Sequence, residues 1–127
     1  RVEFLKPGET KNFALVDAAM NDLIRPTLYD AFHPVEPVLA RPGTPVLYDV
    51  VGPVCESGDW LAKERKFVLE QGDFLAVLCA GAYGMTMASN YNTRPRPCEV
   101  LVDGDEAHLI RERERFEDLI AHERIVV

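Results

Sequence analysis

Positive charge, cysteine pairing and long apolar runs are all scarce in this 127-residue sequence, and each shortage removes a class of function. Lys63-Glu64-Arg65-Lys66 is the one compact basic run against a net charge of -7, so the concentrated positive surface that nucleic acid binding requires is missing. The run itself reads as a solvated face or a strand end. Three cysteines, Cys55, Cys79 and Cys98, form no C-x-x-C pair. With no secretory leader ahead of them, their expected home is a reducing cytoplasm. No apolar stretch approaches the roughly 20 residues that cross a bilayer, which leaves no membrane role. A glycine-rich phosphate loop, metal-type His/Cys spacing, a G-x-S-x-G elbow and internal repeats are absent too, and His33, His108 and His122 are scattered.

What is present suits a globular domain. With 47% hydrophobic and 28% charged residues, a chain of this length buries roughly two-thirds of its unfolded surface in one core. It opens at Arg1 and enters Val2-Glu3-Phe4-Leu5 directly, as the interior of a longer protein does. A single excised domain over residues 1–127 is expected.

Turn chemistry and periodicity divide the chain into short strands. Apolar runs at residues 2–6 and 12–16 flank Pro7-Gly8-Glu9-Thr10 and predict a hairpin. Met20, Leu23 and Ile24 fall at helical spacing after Asp17 and predict one or two helical turns that Pro26 stops. Beyond them, Arg25 and Tyr29 project from an irregular segment. There they serve either a site or the plainer duties of capping carbonyls and filling a half-buried corner. Four prolines between residues 34 and 45 leave only an edge strand. Residues 44–51 read as a firm strand, and residues 74–79 as the most buried one, with Cys79 a small core hydrophobe. A short helix from Met85, an Asp103-Gly104 hairpin and a final amphipathic helix within residues 115–123, docked on the sheet, complete the reading. Seven or eight strands with short helices predict a mainly β domain, an antiparallel Greek-key-like barrel or sandwich.

The stretch Gly52-Pro53-Val54-Cys55-Glu56-Ser57-Gly58-Asp59 stands out because it places a thiol, two carboxylates and a hydroxyl in a loop bracketed by Gly and Pro. A buried structural cysteine sits among apolar neighbours, which Cys55 lacks. A nucleophilic thiolate wants a cation or a helix N-terminus beside it, and Cys55 has acids instead, so proton donation is the better use of its thiol.

Three segments carry a resemblance: Asp17-Ala18-Ala19-Met20-Asn21-Asp22-Leu23-Ile24-Arg25-Pro26-Thr27-Leu28-Tyr29, then the Cys55 loop, then Gly81-Ala82-Tyr83-Gly84 with Ser89-Asn90-Tyr91-Asn92. Together they closely resemble the C-terminal domain of the diaminopimelate decarboxylase family, and the likeness extends through Arg111-Glu112-Arg113-Glu114-Arg115-Phe116-Glu117-Asp118-Leu119. The resemblance implies a pyridoxal 5'-phosphate enzyme that converts meso-diaminopimelate to L-lysine. It also implies a homodimer with shared sites, and an alanine-racemase-like barrel, outside this chain, that holds the cofactor lysine and phosphate loop. By the same resemblance Cys55 is the acid that returns a proton to the α-carbon across the dimer interface. Glu56 faces the distal ammonium, Arg25 and Tyr29 hold the distal carboxylate, and Tyr83 touches substrate and cofactor phosphate. Lys6, Lys11, Lys63 and Lys66 lie outside the matching motifs, so none is the Schiff-base residue, and the fragment alone is expected to be inactive. The competing readings are a decarboxylase for ornithine, arginine or a polyamine precursor such as carboxynorspermidine, and a non-catalytic decarboxylase-like binding module.

Overall fold

The computed structural model describes residues 1–126. Its core is a four-stranded sheet in the order β1-β2-β4-β5, built from β1 (Val2–Lys6), β2 (Asn12–Val16), β4 (Val46–Val51) and β5 (Trp60–Phe67). β1 and β2 form the expected antiparallel hairpin, with Val2 opposite Val16 and Leu5 opposite Ala14. Val2, Ala14, Val16, Val50, Leu61, Ala62 and Phe67 are buried together as the apolar core.

Two features of this sheet differ from the sequence expectation. β2 and β4 pair in parallel, so the sheet is mixed rather than antiparallel, and the three sheets of the described residues stay open rather than closing into a barrel. The reason is the long excursion between them, which carries a helix and a strand and gives the chain room to return in the same direction. β5 also runs straight through the charged stretch, whose Lys63, Glu64 and Lys66 face solvent. Glu64 has φ 55°, and its N–H donates to the Asp49 carboxylate at 2.8 Å, which closes the local irregularity. Lys11 Nζ bonds the other oxygen of Asp49 at 2.9 Å. Burial alone would raise the Asp49 pKa, but the Lys11 and Glu64 donors outweigh it and hold it below the usual carboxylate value.

A second sheet pairs β3 (Val35–Pro37) with β6 (Leu75–Val77), Val35 lying opposite Val77. Residues 74–79 are therefore not the most buried strand. Only three of them pair, all three are half-buried, Phe74 is 61% exposed, and Cys79 turns outward at φ 56° instead of joining the core. An apolar run is buried only as far as its neighbours cover it, and the proline-bounded β3 covers three residues.

Residues 17–24 form turns, and the helix α1 (Arg25–Tyr29) begins where a stop was expected, with Pro26 in its first turn. A first-turn proline forgoes only an N–H that has no intrahelical partner. The short helix α2 (Gly84–Met87) is followed by the hairpin of β7 (Glu99–Asp103) and β8 (Glu106–Arg111), which turns at Gly104 with φ 62° as the Asp103-Gly104 pair predicts. The last helix, α3 (Phe116–Ile120), does not dock as expected: Phe116 is 57% and Ile120 40% exposed.

Candidate active-site face

The loop between β4 and β5 is a closed unit. Gly52 N–H donates to the Asp59 carbonyl at 3.0 Å and Asp59 N–H to that of Glu56 at 3.0 Å. The Asp59 side chain, only 4% exposed, accepts Val54 N–H at 2.6 Å from inside the loop and Met20 N–H at 2.7 Å from outside it. A β-carbon on Gly52 would lie 2.7 Å from Asp59 Cγ and closer still to both carboxylate oxygens, so the loop closes only around glycine. Cys55 and Glu56 stand exposed at its tip.

Helix α1 is fastened to the same loop. Thr27 Oγ1 donates to the Gly58 carbonyl, and Thr27 Cγ2 would lie 2.9 Å from a β-carbon on Gly58. The helix thereby presents Arg25, whose guanidinium carbon lies 5.4 Å from the ring centre of Tyr29 and 4.8 Å from that of Tyr83 in the turn before α2. Both rings are more than half exposed. Among the described residues Arg25 forms no ion pair, so neither helix carbonyls nor a carboxylate occupy its charge. A half-buried guanidinium held beside aromatic faces, with no carboxylate on it, is suited to a planar anion such as a carboxylate.

A second group forms around Glu56. Tyr91 Oη donates to Glu56 Oε1 at 2.6 Å, and this bond raises the Tyr91 pKa above its ordinary value, with the charge of Glu56 and the nearby Cys55 adding to it. Tyr91 belongs to a motif singled out in the sequence but carries no role there, because its partner is 35 residues away. Arg25, Tyr29 and Tyr83 thus gather in one cluster and Glu56 with Tyr91 in another, on elements joined by the Thr27–Gly58 bond. A small cavity of about 160 Å³ lies elsewhere, lined by Lys11, Asp49 and Glu64, and there the Asp49 carboxylate is taken up by Lys11 Nζ and the Glu64 N–H.

Two of the lysines are likewise engaged: Lys11 with Asp49, and Lys63 3.5 Å from the centre of the Trp60 ring.

A family model described as pyridoxal-dependent decarboxylase, C-terminal sheet domain, matches residues 1–81. The chain belongs to this family. Among relatives of the decarboxylase family it is 56% identical over 126 residues to the diaminopimelate decarboxylase of Vibrio cholerae and 57% identical over 126 residues to that of Pseudomonas aeruginosa. Each alignment takes in 99% of this chain and 30% of the relative, so the chain spans about 30% of the length of the curated relatives it matches. Among solved decarboxylase structures, the diaminopimelate decarboxylase of M. jannaschii in co-complex with L-lysine superposes with a TM-score of 0.93 at 37% identity, over 98% of this chain and 29% of that one. The lysine/ornithine decarboxylase of Vibrio vulnificus, with a TM-score of 0.66 at 23% identity over 75% of this chain and 26% of that one, shares the fold.

Proposed function

We propose that this chain is the C-terminal β domain of a cytoplasmic, homodimeric diaminopimelate decarboxylase, which removes one carboxylate from meso-diaminopimelate to give L-lysine and CO2 in lysine biosynthesis. The observation that carries the reading is the identity of 56–57% to enzymes of that name along nearly the whole chain. The local chemistry agrees with it. Diaminopimelate ends in a second amino-acid head, and this face offers an unpaired guanidinium and an exposed carboxylate on two elements bonded to each other.

Pyridoxal phosphate, when bound by the remainder of the enzyme, supplies the electron sink for loss of the carboxylate. In this reading the present chain contributes four actions. Arg25 and the Tyr29 phenol hold the distal carboxylate, the arginine through paired N–H donors. Glu56 accepts the distal ammonium. Tyr83 donates its phenolic proton in a hydrogen bond to the cofactor phosphate and touches the substrate. After the carbon–carbon bond to CO2 has broken, Cys55 delivers the proton from Sγ to the α-carbon, where a carbon–hydrogen bond forms, and the thiolate left behind recovers a proton from water. Cys55 stands exposed at a loop tip, accessible to a site completed by the neighbouring subunit.

The test is a substrate panel on the full-length enzyme carrying this domain, with CO2 release measured for meso-diaminopimelate, L-ornithine, L-arginine and L-lysine. Turnover of diaminopimelate above the others supports the proposal. Preference for ornithine, arginine or lysine defeats it, and no release from any of the four with pyridoxal phosphate supplied favours a binding module.

A further inference from the structure

The segment that carries Tyr91 is held far more tightly than an exposed turn needs. Asn21, 2% exposed, binds it at both ends. Its carbonyl accepts Ser89 N–H at 2.9 Å, its Nδ2 donates to the Ser89 carbonyl at 3.2 Å, and its Oδ1 accepts Arg94 Nε at 2.9 Å. Arg94 Nη2 also donates to the Asp17 carbonyl at 2.7 Å, and Asn90 Nδ2 to Glu114 Oε2 at 2.6 Å. Between these anchors Asn92 and Thr93 both sit at φ 57°, a left-handed conformation that a β-branched residue such as Thr93 rarely adopts. Backbone of this kind persists only where its surroundings over-determine it, and it concentrates at functional sites. The side chain delivered by this strained, doubly anchored turn is the Tyr91 phenol, and it ends on Glu56 Oε1 at 2.6 Å.

We propose that Tyr91 is a positioning residue for substrate recognition: its phenol fixes one oxygen of the Glu56 carboxylate and leaves the other for the distal ammonium of the diamino acid. The proposal rests on the role given to Glu56 above. A glutamate at an exposed loop tip samples many rotamers, and an ammonium that must select one of them binds more weakly by that fraction. A phenol held from a different element removes this loss before substrate arrives, which is preorganisation. The upward shift of the Tyr91 pKa keeps the phenol a donor throughout the neutral range. Because Asn21 lies in the segment that leads into α1, the same buried side chain also ties the Glu56 clamp to the element that presents Arg25.

The experiment is a double-mutant cycle in the full-length, cofactor-loaded enzyme with Tyr91→Phe, Glu56→Gln and the pair, reading KM and kcat for meso-diaminopimelate and the cofactor absorbance. Losing one charge-assisted hydrogen bond should raise KM about tenfold in Tyr91→Phe, with kcat within about twofold and the cofactor spectrum unchanged. In the Glu56→Gln background the same substitution should change KM by less than about twofold. A general folding defect would weaken both backgrounds alike, so equal losses in both overturn the proposal. So does a Tyr91→Phe enzyme with wild-type KM, or one whose loss lies in kcat alone. Wild-type enzyme that leaves diaminopimelate untouched overturns the proposed function and this inference together, whereas an active wild type with an indifferent Tyr91→Phe variant overturns only the inference.

Discussion

The Asp59 carboxylate accepts the backbone N–H of Met20 at 2.7 Å while its second oxygen accepts that of Val54 at 2.6 Å, so one buried side chain joins the Cys55 loop to the segment that leads into α1. Replacing Asp59 by Ala strands both donors. The expected cost is about 2–4 kcal/mol, since each hydrogen bond to a charged group contributes roughly 1.5–3 kcal/mol and part is recovered by water. Urea unfolding of the full-length enzyme measures it, and Asp59→Asn, which keeps one acceptor, should lose less. Equal stability of Asp59→Ala and wild type would show that the link is ornamental.

Two glycines separate steric from conformational need. Gly52→Ala must displace the Asp59 carboxylate, and is expected to destabilise by about 1–3 kcal/mol and to depress turnover, because the clash falls on the group that shapes the loop. Gly104→Ala meets no atom within 4 Å but sits at φ 62°, so its cost is the backbone strain of roughly 1 kcal/mol, with turnover unchanged. Melting temperature and kcat for the two variants distinguish the cases.

Cys55→Ala should lower the rate of lysine formation from diaminopimelate by about 10²- to 10⁴-fold, the range usual for loss of a positioned proton donor. Cofactor absorbance should stay intact, since the thiol is assigned to proton delivery and not to holding the cofactor. A variant with wild-type kinetics and product would remove Cys55 from the mechanism.

Glu114 gives a pH signature. Hydrogen bonds from the Arg96 guanidinium and backbone N–H, with a further one from Asn90, lower its pKa from 4.5 to about 2. A carboxyl group lowered on folding stabilises the native state fully above its unfolded pKa and loses that contribution as pH falls toward its folded pKa. Wild-type stability should therefore decline between pH 4.5 and about 2 more steeply than that of Glu114→Gln. Denaturant titrations at several acid pH values compare the slopes, and identical slopes would refute the assignment.

The elements legible in the sequence are those whose determinants are local. The turns at Pro7-Gly8 and Asp103-Gly104 announce the hairpins β1–β2 and β7–β8, and the β-branched content of residues 44–51 announces β4. Elements that depend on distant partners were not legible. β5 continues through its charged stretch because Asp49, fifteen residues away, closes the irregularity at Glu64. The parallel pairing of β2 with β4 depends on how far the intervening chain travels. Pro26 is compatible with either end of a helix, and the choice between them rests with Thr27 and Gly58, 31 residues apart. Of the candidate site, Arg25, Tyr29, Tyr83, Cys55 and Glu56 were named from motifs, and the first three gather in space. Tyr91 acquires its meaning only when residues 56 and 91 meet.

Along β7 and β8, Val100, Leu101, Val102, Leu109 and Ile110 are each more than half exposed. A preparation trimmed to these 127 residues would carry an adhesive ribbon, and turbidity rising with protein concentration is the expected behaviour. Poor solubility of such a sample would report an uncovered surface rather than a failure of the sheet beneath it to form.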